Sequence, residues 1–159
     1  MRDIQFRGKR FDNGNFLYGD LRHWRSGKVG IHSDEIGRTF PVDPYTVGEY
    51  SGLNDKVGKK IFEGDILQFG EKRLVVWWND EAFQWQAKER QAVTSTYDGM
   101  SRNVVWDNID LGWIAAEIPC TGHMTTEVIG NIYDNPELLN NYFNCSTTER
   151  SRENDKEEF

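Results

Sequence analysis

The chain has 159 residues, 37% of them hydrophobic and 13% aromatic, with six Trp, fifteen Gly and a formal charge of -7. That length suits one compact domain plus a tail, and the acidic total disfavours indiscriminate binding to duplex DNA. No apolar run reaches the length of a membrane span, and two cysteines, Cys120 and Cys145, make no disulfide framework.

The opening residues, Met1-Arg2-Asp3-Ile4, lack an apolar signal core, so a soluble, cytoplasmic protein with reduced thiols is expected. Ile4 and Phe6 then alternate with polar neighbours. Asp12-Asn13-Gly14-Asn15 signals a tight turn, and Phe16-Leu17-Tyr18 resumes a strand. Ser26-Gly27-Lys28 marks the next reversal, followed by Val29 and Ile31 with period two. Pro41 and Pro44 cannot donate ladder hydrogen bonds, which predicts a connector or an edge strand there. The chain therefore divides into an N-terminal β-meander over 1–44, packed on a second unit over 45–145.

In the second unit, Asn54 to Gly58 reads as a turn and Glu63-Gly64-Asp65 as another. The lack of a Cβ at Gly64 permits a sharp bend into the strand that follows. Ile66 to Phe69 and Leu74 to Trp78 read as strands, and then Phe83, Trp85 and Ala87 alternate with Gln84, Gln86 and Lys88. Short strands with tight turns at this spacing predict a small, strongly bent barrel. The polar stretch near 89–103 reads as an inserted long hairpin, and Val104 to Ile118, with Trp106 and Trp113, as a return to strand. Pro119 to Thr126 is loop-like, and Glu127 to Tyr133 is the closing strand. Asn135 is placed to cap a short helix near 136–143, with Pro136 at its first position and Glu137 near its positive end. Leu138, Leu139 and Tyr142 would form its buried face. Residues 146–159 are charged and nearly devoid of apolar side chains, the composition of a disordered tail.

Thr46-Val47-Gly48-Glu49-Tyr50-Ser51-Gly52-Leu53, then Asp55-Lys56-Val57-Gly58-Lys59, then Ile61-Phe62-Glu63-Gly64-Asp65-Ile66 resemble, in order, the signature words of the YopX family. Val128 to Leu139 is similar to the family's C-terminal word, and Ile4 to Gly8 to its usual start. Glu49, Ser51 and Val57 are mild departures, and none removes a turn glycine. The resemblance implies an SH3-like barrel for the central region and a phage or prophage origin. It implies no activity. Gly52, Gly58, Gly64, Asp65, Asn135 and Pro136 are turn and cap chemistry, which fixes a fold and not a reaction.

Glu63 and Asp65 flank Gly64 on one side of an extended chain, where they could share a cation as a carboxylate pair; a turn-bonding role for Asp65 is the simpler reading. Cys120 and His123 have zinc-like spacing, but Cys145, His23 and His32 are remote, so no metal is expected. Asp107 and Asp110 near Trp106 read as a turn. No nucleophile motif or phosphate loop is present, so neither an enzyme nor a cofactor is expected. The candidate nucleic-acid contacts are Arg7, Lys9, Arg10, Arg22, Trp24 and Arg25, cations beside an aromatic ring. Asp3, Asp12 and Asp20 interleave with them as potential partners. Trp77 and Trp78 are adjacent on a strand and should face opposite ways. The expectation is a non-catalytic homo-oligomeric interaction module for a phage or host protein. The alternatives are an accessory protein of phage replication that binds single-stranded nucleic acid, and an oligomer that sequesters a small ligand.

Overall fold

The structure, a computed structural model, describes residues 3–94, 102–115 and 126–139. The polar turns cut the chain into short strands. The first six are β1 (Phe6–Lys9), β2 (Phe16–His23), β3 (Val29–Ser33), β4 (Arg38–Pro41), β5 (Gly48–Asn54) and β6 (Lys60–Phe62). They form one antiparallel sheet in the order β4-β3-β2-β1-β5-β6. The turn after β1 forms as its composition predicts: the Gly14 amide donates to the Arg10 carbonyl, and the Asn15 amide donates to Asn13 Oδ1. β1 to β4 are a meander, but β5 and β6 join the same sheet through β1, so the expected division at residue 44 falls inside it. The two prolines sit where no ladder donor is needed. Pro41 ends the edge strand β4, and Pro44 opens a single 3-10 turn, Pro44–Thr46, capped by Asp43.

The remaining strands are β7 (Asp65–Phe69), β8 (Lys72–Asn79), β9 (Gln84–Thr94), β10 (Arg102–Asp110) and β11 (Thr126–Asn131). They form a second antiparallel sheet in the order β10-β9-β8-β7-β11. Among the described residues neither sheet closes, because β10 and β11 are both edges. The expected closed, SH3-like barrel is thus replaced by two open sheets. The insertion expected near 89–103 falls in the outer arms of the β9–β10 hairpin, paired from Asp110↔Gln86 to Arg102↔Thr94. The stretch read as strand up to Ile118 instead turns at residue 111 into a short helix, α1 (Leu111–Ala115). Leu111 and Ile114 lie one helical turn apart and are both fully buried, so the turn of helix drops two side chains into the core where a strand would drop alternate ones. The expected helix near 136–143 is a single 3-10 turn over Pro136–Leu139; the rest of that expectation, and the tail 146–159, lie outside the described residues.

Two apolar clusters form the core, and the larger draws Ile61 from β6 of the first sheet as well as side chains of the second. Leu17, Ile31 and Val42 form the smaller, with Phe6, Leu21 and Phe40 packed against it. Ile61, Leu67, Leu74, Val76, Ala87, Leu111, Ile114 and Val128 form the larger. Burial of a Leu or Ile side chain contributes about 1.5–3 kcal/mol, so the larger cluster dominates stability. Trp78 shares its strand face with Leu74 and Val76 and meets Trp85 edge-on at 5.2 Å. Trp77 faces the other way, under the Lys88 ammonium at 4.4 Å. Both are half-buried.

Candidate binding cleft

The signature words place two buried carboxylates in adjacent turns. Asp55, 1% exposed, lies between β5 and β6. Its Oδ1 accepts from the amides of Val57 (3.0 Å) and Lys59 (2.8 Å), and its Oδ2 from the amide of Val128 (3.0 Å). The Lys56 amide donates to the Thr126 carbonyl beside it, so this turn is laced to β11. The second turn runs from β6 to β7 through Gly64, at φ +81°, a conformation that L side chains rarely adopt. A Cβ there would also stand 3.1 Å from the Tyr133 ring. The Gly64 amide donates to Val76, and its carbonyl accepts from Ile132.

Asp65 follows, 2% exposed. Its Oδ2 accepts from the Phe62 amide at 2.8 Å and its Oδ1 from Arg7 Nη1 at 2.6 Å. Arg7 Nη2 donates to the Glu63 carbonyl at 2.9 Å. The guanidinium carbon lies 4.7 Å from the Phe16 ring centre and 5.2 Å from that of Phe62. Arg7 comes from the first sheet and Asp65 from the second, so this ion pair ties the two together. Burial pushes the Asp65 carboxyl above its ordinary value, against the opposing pull of the Arg7 charge and the Phe62 amide. Burial likewise raises Glu63, and the nearby carboxylates of Glu49 and Asp80 add to it. Asp65 is therefore bonded to Arg7 and a turn amide, and the carboxylate pair anticipated at Glu63 and Asp65 is not a shared cation site.

Arg7 lines a cleft of about 660 Å³ between β1, β2 and β6 on one side and β7 and β11 on the other. That volume lies within the ~300–1,000 Å³ typical of small-molecule sites. Three cations, Arg7, Lys59 and Lys60, face one carboxylate, Asp65, which Arg7 already occupies. The aromatic walls are Phe16, Tyr18 and Phe62, with Tyr18 edge-on to Phe62 at 5.4 Å and 45% exposed. Gln5, Asn131 and Asn135 supply amides. The register of β11 on β7 shifts between Val128 and Gly130, which sets Ile129, a residue of the cleft wall, outside the ladder. Such bulges recur beside binding sites. Gly130 leaves room for Asn135, whose Oδ1 would be 2.6 Å from a Cβ at that position.

The proposed nucleic-acid contacts do not converge. Arg7 is buried, 4% exposed. Lys9 is bonded to Asp134, and Arg10 to Asp12 while stacking on Phe40 at 3.9 Å. Arg22 lies 3.8 Å from Asp20 with its side chain mostly exposed. Trp24 is 41% exposed, its ring laid over Gly30, and Arg25 is exposed. Only these last three share one turn region. Of the turn residues, Gly52 and Gly58 take φ of +86° and +85° on the surface; the Asn135 side chain accepts from the Asn131 amide at 3.4 Å, ahead of Pro136. Sequence reasoning missed Asp55, Lys59 and the aromatic pair Phe16 and Phe62. Asp55 was visible as an Asx-type residue at the start of a turn ending in glycine. Among the described residues, no group of three His, Cys, Asp or Glu is placed to hold a metal ion, and no helix is long and apolar enough to cross a membrane. Cys120, His123 and Cys145 lie outside the described residues.

The chain is similar to protein EF1440 from Enterococcus faecalis, known from a crystal structure. Identity is 22% over 87% of this chain and 99% of that one, with a TM-score of 0.44. No curated protein matches it. The family model described as YopX protein matches residues 5–140, which is most of the chain and includes both carboxylate turns and the cleft, and the chain belongs to the YopX family.

Proposed function

We propose that the protein is a non-catalytic binding module that holds a small anionic ligand in the cleft between its two sheets. The cleft carries this reading: it is lined by three aromatic rings and three cations, of which Arg7 and Lys60 pair with Asp65 and Asp3 and Lys59 is left with only a carbonyl among the described residues, in a chain whose total charge is -7. A local excess of positive charge against an acidic background selects for an anion. The two carboxylates of the signature words are bonded to backbone amides and to Arg7, which supports a binding role over acid–base chemistry. The family resemblance supports a phage or prophage protein working in the bacterial cytoplasm. The test is amide chemical-shift mapping with a mixed set of small organic anions. Shifts concentrated at Lys59, Lys60 and Val128 to Asn131, and lost in Lys59→Glu, are expected. Shifts confined to other surfaces would reject the cleft.

A second reading, a homo-oligomer that docks a phage or host protein, is favoured by Phe83. It sits in the β8–β9 turn at φ +51°, a rare conformation for a bulky side chain, and is 80% exposed. Native mass spectrometry, with Phe83→Gly as the comparison, tests it through the oligomeric state.

A further inference from the structure

The proposal that the cleft is the binding site leaves the chemistry of its occupant open, and the arrangement of its walls narrows that chemistry. Lys59 and Lys60 stand together at the start of β6. Lys60 Nζ is bonded to Asp3 at 2.7 Å and to Gln5 Oε1 at 3.0 Å. Among the described residues, Lys59 Nζ reaches only a carbonyl, that of Val128, at 3.5 Å. A charged ammonium with one long, neutral acceptor retains most of its capacity to bind an anion. Among the described residues, Arg7 Nε is buried without an acceptor, so the most buried cation of the cleft has an unmet donor. Beside these cations stands Tyr18, half-exposed, its ring braced edge-on by Phe62, which in turn meets Tyr50 at 5.6 Å. A braced aromatic side chain that keeps exposed surface is a stacking platform. Gln5 Oε1 already accepts from Lys60, Asn135 Oδ1 from the Asn131 amide, and Asn131 is bonded within its own turn. The side-chain NH2 groups of Gln5 and Asn135 are therefore the cleft's amide donors, which suits the acceptor edge of a heteroaromatic ring better than a plain hydrocarbon.

Resting on the cleft reading, we infer that the occupant is a mononucleotide-like molecule: a heteroaromatic ring stacked at Tyr18, joined to a phosphate held by Lys59 and Lys60. A simple dicarboxylate would leave the aromatic wall unused. An apolar ring without an anion would leave Lys59 uncompensated. The source of the ring and phosphate is either a free nucleotide or the end of a single strand, and both present the same groups to the cleft.

The experiment is isothermal titration of the full chain with four probes: a 5′-mononucleotide, its nucleoside, inorganic phosphate and a short single-stranded oligothymidylate. The mononucleotide is expected to bind at least about tenfold more tightly than the nucleoside or phosphate alone, since charge and stacking act together. Tyr18→Ala should weaken it at least about fivefold, and Lys59→Glu at least about tenfold. Tyr18 and Lys59 are both exposed, so neither change endangers the fold, and amide spectra verify this. An oligonucleotide that binds more tightly, with steep salt dependence lost in Lys59→Glu, assigns the source to a strand end. Nucleotide binding that ignores both substitutions overturns the inference. If none of the probes binds while cleft amides still respond to other organic anions, the nucleotide class is wrong and the cleft reading stands. If the cleft responds to nothing, both fall.

Discussion

Asp55 and Asp65 are equally buried members of one sequence signature, yet they are satisfied in opposite ways. Asp55 is enclosed by backbone: its carboxylate accepts from three amides, one of them on β11. Asp65 takes one amide and one guanidinium, and that guanidinium lines the cleft. Amides are fixed by the fold and cannot leave, so the Asp55 turn is a closed structural unit. A side-chain partner is replaceable and has its own solvation cost, so the Asp65 turn is where the structural frame meets the cleft of the proposed binding site. A buried ion pair stabilises weakly against an apolar pair of the same shape, yet costs much when broken from one side.

The largest effect should come from Asp55. Asp55→Ala leaves three amides without their acceptor and should destabilise the fold by at least about 4 kcal/mol in chemical denaturation. Asp55→Asn keeps one oxygen but turns an NH2 toward an amide, so it should fall between alanine and wild type. If alanine costs less than about 1 kcal/mol, the closed-unit view fails. Next is the ion pair. Arg7→Met strands a buried carboxylate and should cost about 3–5 kcal/mol at neutral pH, whereas Arg7→Met with Asp65→Leu should cost less than Arg7→Met alone. The pH dependence carries a sign. The folded value of the Asp65 carboxyl lies above its unfolded one, so the folded state binds the proton more tightly and ionisation works against folding. Removing Arg7 raises the folded value further. The gap between Arg7→Met and wild type should therefore narrow as pH falls through these two raised folded values, both above the ordinary aspartate value of 3.8, and change little below it. A gap that widens on acidification would contradict the assignment. The smallest of the three is Gly64→Val, which forces a branched side chain into φ +81° against the Tyr133 ring and should cost roughly 2 kcal/mol by thermal melting.

The same contrast explains what could be read from the chain. The turns were legible because their chemistry is local: Asn13-Gly14 and Glu63-Gly64-Asp65 carry their own conformational instructions. The mostly-β class followed from strand periods and turn spacing. Barrel closure was not legible, since it depends on which edge strands pair, and β10 and β11 do not. Helix α1 is too short to show a helical period among the aromatics around it. Arg7 was misread as a surface cation because Arg7-Gly8-Lys9-Arg10 looks like a solvated run. Its burial is decided by Asp65, Phe16 and Phe62, two of which lie on distant strands, and no local pattern announces them. The cleft was invisible for the same reason, being assembled from β1, β2, β6, β7 and β11.

The bond from Val128 to Asp55 has a consequence in time. It spans 73 residues, and β11 pairs with β7 across a similar stretch of chain, whereas β1 to β4 pair only with sequence neighbours or β5. Closing a long loop costs entropy before any contact repays it, so local hairpins precede distant pairings. On a ribosome, the first sheet can assemble while β11 is still unmade. The Asp55 turn then waits with one carboxylate oxygen still hydrated, and it locks only when Val128 arrives. Stability gained at that last step is absent from the folding barrier. The bond therefore acts as a latch on unfolding, lengthening the lifetime of the finished protein without hastening its birth.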